Sequence, residues 1–202
     1  PGVETAHVLW NLDDMDAVMD TASRATSAVV VGGGFIGLEL AENLIHRGIT
    51  TTLVEALPQL MATLDSEMAW PLVERARFQG LDVRLSAQVT AITDSGVTLG
   101  DGSTIEADFT VVAVGARPNT ELAVGAGLEM GEAGGVTVDE HQRTSDPHIW
   151  AVGDVAEKIR PDGHSLVPLA GLANRHGRLA ADSIMGAHTQ AVTAYGTSIV
   201  GF

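Results

Sequence analysis

Cysteine is absent from the 202-residue sequence, which excludes structural disulfides, thiolate metal sites and any catalytic thiol carried by these residues. Aromatic residues are scarce, 4% against 45% hydrophobic overall, a balance that suits an ordinary globular protein of one or two domains. Basic residues are few. With 11 Lys and Arg against 26 Asp and Glu the formal net charge is −15, so a nucleic-acid backbone or an anionic membrane surface would repel the chain. No apolar stretch approaches the roughly 20 residues that a bilayer-spanning helix needs, and no short apolar core with a basic flank opens the sequence. The expectation is a cytoplasmic protein with no nucleic-acid and no membrane partner. Seven histidines are scattered without a His-Glu-x-x-His pair, so no metal is expected, and His176 reads as a surface or capping residue. A Gly-x-Ser-x-Gly elbow for acyl transfer is also missing.

The strongest periodic signal is the run Ala28-Val29-Val30-Val31, which stops at Gly32-Gly33-Gly34 and reads as a strand buried on both faces. From Phe35 the period becomes helical, with Ile36, Leu40, Leu44 and Ile45 recurring at helical spacing and Gly48 at the stop. Thr50 to Val54 is a second strand ending at Glu55, and a second helix runs from a cap at Asp65 to Phe78 with Pro71 in its first part. Leu81 to Leu85 supplies a third strand, completing a βαβαβ series that builds a parallel sheet. Short alternating runs at Val89–Ile92, Val97–Leu99 and Thr104–Ile105 read as an antiparallel meander, followed by an apolar strand from Phe109 to Val114. Beyond Gly115 the chain is glycine-rich and loop-like, with strands expected at Val136–Val138 and His148–Val152 and a last helix over Leu169 to Met185. Asp13, Asp14 and Asp16 read as a solvated helix start.

Gly32-x-Gly34-x-x-Gly37 has the spacing of a dinucleotide fingerprint, a weak signal alone in a chain with 23 glycines. Its place between a buried strand and a helix gives it weight. Gly32 permits the tight turn, Gly34 lets backbone approach a pyrophosphate, and Gly37 lets the helix pack on the sheet. The unpaired amides and positive end of the helix attract the anion. Glu55, 18 positions after Gly37 at the next strand end, can accept hydrogen bonds from an adenosine ribose and opposes a 2′-phosphate. No arginine follows in Ala56-Leu57-Pro58-Gln59, so NADH is favoured over NADPH.

The segment Val30 to Glu39 resembles the NAD-binding domain of FAD-dependent pyridine nucleotide-disulfide oxidoreductases. Three later blocks carry the same resemblance: Val114 to Thr120, similar to the crossover from NAD to FAD domain; Thr144 to Asp154, similar to the second flavin motif; and Pro168 to Arg178, which looks most like the coenzyme A-disulfide reductase and NADH oxidase branch. The resemblance implies an α/β fold: a Rossmann-like NAD-binding domain, with parallel sheet and antiparallel meander, joined to part of a second, FAD-binding α/β domain. Residues 1–22 would be a crossover segment, 23–114 the NAD-binding domain and 115–202 the C-terminal half of the FAD domain. By the same resemblance Phe35 is an aromatic gate over the flavin, Ile36 belongs to the fingerprint, and Glu39 lies near flavin and nicotinamide. Gly115 is backbone beside NAD, Gly153 and Asp154 hold the ribityl chain, and Leu169 and Ala170 lead a helix whose N-terminus faces the flavin pyrimidine.

The implied cofactors are FAD and NAD, the implied reaction hydride transfer from NADH to flavin, and the implied acceptor a small-molecule disulfide, a persulfide or an oxygen-type species. The family's first FAD motif, its redox cysteine and its C-terminal dimerisation domain have no counterpart in the sequence, whose last stretch from Ala194 to Ser198 is similar to the approach to that domain. The expectation is an internal fragment of a homodimeric enzyme, inactive alone. Two other readings remain open here: an NADH-dependent reductase of a ferredoxin- or rubredoxin-type carrier, and a dinucleotide-binding module without hydride chemistry.

Overall fold

A computed structural model describes residues 3–197, 199 and 201–202; Ser198, named above, lies outside the described residues. The chain divides into two compact units, one of residues 1–115 with 199–202, the other of residues 116–198.

The first unit is built on β2 (Ser27–Val31), whose alternate side chains enter two different cores. Ala28 and Val30 join Leu38, Ala41 and Leu44 of α2 (Phe35–His46), together with Leu53, Phe109 and Val111. Val29 and Val31 point the other way, with Val54, Val97 and Ala107. Period-2 alternation therefore becomes burial on both faces, the reason the strand is apolar throughout. Fully burying each valine stabilises the fold by roughly 1.5–3 kcal/mol. Five parallel strands lie in the order β1-β8-β2-β3-β4, with β1 at Ala6–Val8, β8 at Phe109–Val112, β3 at Thr50–Val54 and β4 at Asp82–Arg84. The meander is β5 (Val89–Thr93), β6 (Gly96–Leu99) and β7 (Thr104–Glu106), antiparallel throughout. Its Val97 enters the core under Val29 and Val31. The helices α1 (Leu12–Ala22) and α3 (Ser66–Phe78) complete the unit. Helix α1 starts with a capping box between Asn11 and Asp14, and α3 keeps Pro71 inside.

In the second unit, α4 (Glu121–Gly125) and a single turn at Gly153–Val155 precede a hairpin of β9 (Lys158–Arg160) and β10 (Gly163–Ser165). Helix α5 spans Ala170–Ile184. The strands expected at Val136–Val138 and His148–Val152 are instead isolated bridges, Met130 to Val136, Val136 to Ala156 and Arg143 to Trp150. The apolar residues are buried as their pattern requires, Val136, Val138 and Ala151 forming a core with Ala156. Backbone pairing, however, changes partner from residue to residue: the Val136 amide donates to Val155 and the Thr137 amide to Glu129. No continuous ladder forms, and burial alone does not make a strand. No helix among the described residues is long and apolar enough to cross a membrane.

One exposed carboxylate ties the entrances of two central strands together. Asp108 Oδ2 accepts from the Thr26 amide at 2.7 Å, the Thr26 hydroxyl at 2.9 Å and the Ser27 amide at 2.9 Å, and the Asp108 amide donates to Ser27 Oγ at 3.0 Å. These bonds, the Thr26 amide foremost, lower its pKa from 3.8 to about 2. A carboxylate with a depressed folded-state value stabilises fully above its unfolded value and loses that contribution as pH falls through the folded one. Asp108→Asn is therefore expected to melt below wild type at neutral pH, with the gap closing from pH 3.8 down to about 2. Thermal melts across that range test it, and a gap independent of pH contradicts it.

Candidate functional site

The parallel strands end together, Val8, Val112, Val31, Val54 and Arg84 standing side by side, and a glycine bend follows β2. Gly32 continues the ladder by donating to the Val54 carbonyl at 2.8 Å, then turns with φ +112°, a left-handed value that favours glycine. A Cβ there would strike the Ala113 carbonyl oxygen. A Cβ on Gly37, in the first turn of α2, would strike the Gly32 carbonyl oxygen. Helix and strand therefore approach as closely as backbone permits. Gly34 differs: it caps α2 with φ −83°, a value open to any residue, and a Cβ on it would meet nothing within 4 Å. Folding requires glycine at positions 32 and 37, whereas at 34 the free space faces outward. No side chain caps α2, so its N-terminus keeps a positive field available to an anion.

Glu55 closes the site from the side. Its Oε2 accepts from the Gly33 amide at 2.7 Å and its Oε1 from the Leu57 amide at 2.8 Å. The side chain thus turns toward the glycine bend. Each oxygen retains a lone pair. The loop beyond β3 also packs here: the Met61 amide donates to the Gly33 carbonyl at 2.9 Å, and a Cβ on Gly33 would lie 2.6 Å from Leu60. Sequence reasoning missed Gly33, Leu60 and Met61, because nothing in their spacing shows that the loop returns. Gly115, exposed at φ +104°, lies just past the end of β8, beside β2 in the sheet.

The other helix residues of the site stand along α2 beyond the bend. Phe35 is half-buried and packs against the helix-side core. Ile36 and Glu39 are exposed and line a cavity of about 380 Å³ with Leu9, Met15 and Met19.

In the second unit Gly153 has φ +76° and opens the turn that carries exposed Asp154. A Cβ on Gly153 would lie 3.8 Å from the Ala173 methyl, so α5 packs its first turn against this bend. Leu169 is the N-cap of α5 and Ala170 its first residue, again without a side-chain cap. The structure thus brings the turn of Gly153 and Asp154 against the first turn of α5, which Leu169 caps and Ala170 begins. His176, read as a surface or capping residue, is corrected: it is buried, with neither ring nitrogen hydrogen-bonded. Burial, then the charges of Lys158 and Arg175, push its pKa below the ordinary value. The signal is there in the spacing: Leu172, His176 and Leu179 stand at i, i+4 and i+7 of the expected helix and so share its inward face.

The family model for pyridine nucleotide-disulphide oxidoreductases matches residues 1–189. The chain belongs to that family. Among proteins of known function, it is 36% identical over 193 residues to the rubredoxin-NAD(+) reductase of Ectopseudomonas oleovorans, covering 92% of this chain and 50% of that protein. Among solved structures, reduced CoADR-RHD of Bacillus anthracis superposes with a TM-score of 0.93 at 37% identity, over 98% of this chain and 37% of that one. The NAD-dependent persulfide reductase of A. fulgidus gives 0.93 at 33% identity, over 98% and 38%. The chain spans half or less of the length of each of these relatives.

The two kinds of glycine separate experimentally. Gly37→Ala forces a methyl group into a carbonyl oxygen and is expected to cost about 1–3 kcal/mol of unfolding free energy. Gly34→Ala is expected to fold and to lose less than about 1 kcal/mol, the preference of an N-cap for glycine over alanine. Denaturant titration of both variants checks the contrast, and equal losses contradict it.

Proposed function

We propose that the chain is the NAD-binding domain and part of the FAD domain of an NADH-dependent flavoprotein oxidoreductase. Residues 23–114 would form the former and 115–202 the C-terminal half of the latter, with 1–22 as the crossover. The observation that carries the reading is the open face at Gly34, beside an uncapped helix N-terminus and a carboxylate already turned to the same bend. The space, the amide donors and the field fit a dinucleotide diphosphate.

In this reading Gly34 and the amides at the start of α2, Ile36 among them, meet the diphosphate on the bend that Gly32 and Gly37 make possible, and Glu55 accepts from the adenosine ribose hydroxyls. The Glu55 charge opposes a 2′-phosphate, which favours NADH over NADPH. Phe35 gates the nicotinamide, Glu39 lies near it and Gly115 offers backbone beside it. Asp154, on the turn opened by Gly153, holds the ribityl hydroxyls of FAD. Leu169 and Ala170 present the amides of α5 to the flavin's anionic side. The two cofactors together supply hydride transfer from nicotinamide to flavin and onward reduction of the acceptor. We assign the acceptor to the disulfide, persulfide or oxygen-type class, the block from Pro168 to Arg178 supporting that branch. The identity to a rubredoxin reductase over most of the chain favours a second reading, delivery to a protein carrier.

Titration with NADH and NADPH, followed by nicotinamide fluorescence, tests the proposal. Wild type is expected to bind NADH at least about five-fold more tightly than NADPH, since a close like-charge pair is worth on the order of 1 kcal/mol or more. Gly34→Ala is expected to lose NADH binding while keeping its fold, and Glu55→Ala to lose the discrimination. Undiminished binding by Gly34→Ala contradicts the site.

A further inference from the structure

The chain contains a single lysine, Lys158, and it is 2% exposed. Lysine is among the residues least often buried, because its amine must shed water and find new acceptors. Here it finds two. Lys158 Nζ donates to the Gly153 carbonyl and, at 2.6 Å, to the Ala156 carbonyl. Gly153 opens the turn that carries Asp154, and Ala156 is the residue that follows it. The turn's own closure is weak by comparison, one amide bond from Ala156 to Gly153 at 3.3 Å. A methionine or leucine would fill the same volume without the desolvation penalty, so packing does not explain a lysine at this position.

The charged neighbours divide by element. From the turn, the Asp154 carboxylate favours the charged amine, opposing the burial that pushes the Lys158 pKa down. From α5, the charges of Lys158 and Arg175 both disfavour a charge on His176. The side chain therefore spans from β9 to both ends of the turn.

We propose that Lys158 is a positioning residue that clamps the carbonyls at the two ends of the 153–155 turn and so fixes the direction in which Asp154 presents its carboxylate. This rests on the reading of Asp154 as the FAD ribityl ligand. The relation is one of support: Lys158 holds the backbone, and the backbone aims the group that meets the cofactor.

Three measurements test it. In the holoprotein, FAD affinity is determined for Lys158→Met, Asp154→Asn and the double variant. Each single change is expected to weaken FAD about ten-fold, and the double variant to be no weaker than Asp154→Asn alone, because two residues acting through one contact are not additive. Additive losses overturn the proposal, since a merely structural lysine would cost the same in either background. An unchanged affinity in Lys158→Met beside a weakened Asp154→Asn overturns the proposal and leaves the Asp154 reading standing. An unchanged affinity in Asp154→Asn overturns that reading and the proposal with it. In the chain without cofactor, Lys158→Met is expected to accelerate amide exchange at Ala156 and leave Val30 unchanged; uniform acceleration overturns the clamp. Should the variant not fold, the wild type still answers. Lysine-specific nitrogen labelling gives one side-chain amine signal, expected to exchange slowly with water, and a freely exchanging signal overturns the proposal.

Discussion

A carboxylate at the end of one strand holds the turn at the end of its neighbour. Glu55 accepts the Gly33 amide with one oxygen and the Leu57 amide with the other, so the glycine bend and the loop beyond β3 form one rigid ledge. Charge-assisted bonds of this kind are roughly twice as strong as neutral ones. They act where two backbone segments would otherwise each carry an unpaired donor. The helix that begins at Gly34 inherits its direction from that ledge, and its open N-terminus inherits a fixed position.

The sheet makes such a ledge possible. Because β2 is buried on both faces, by helices on one side and the meander on the other, its end cannot move without disturbing two cores. Tight packing transmits that rigidity to the bend, where Gly32 and Gly37 let backbone meet backbone. Stability is concentrated in the layers, and the space for chemistry lies at the strand ends. The second unit repeats the logic with different parts: a positive-φ glycine, a turn bearing a carboxylate, and a helix start beside it, with a buried lysine in place of a buried strand.

Much of the first unit could be read from the sequence because its signals are local and redundant. The apolar run from Ala28 to Val31, the change to helical period at Phe35 and the stop at Gly48 agree with one another, and α2 ends at His46 with Gly48 at φ +81°. The meander was visible as alternation and turn residues. The second unit was harder, because its apolar stretches exchange partners every residue or two and give bridges where the pattern implies strands. Side chains that act through long-range packing left no trace. His176, 2% exposed, shares a helix face with Leu172 and Leu179 and was legible in that spacing, whereas Lys158, equally buried, lies on a three-residue strand too short for alternation to show it. Likewise Leu60 and Met61 reach the bend only because the loop folds back.

Backbone amide chemical shifts during an NADH titration address the ledge most directly. Binding at the bend shifts the resonances of Gly33, Gly34, Phe35 and Ile36 together with that of Leu57, whose amide shares the Glu55 carboxylate, and leaves the meander between Val89 and Glu106 unmoved. Shifts confined to other residues, or saturation without any change at Gly33 and Leu57, would contradict a site formed by the strand end, the helix start and the carboxylate between them.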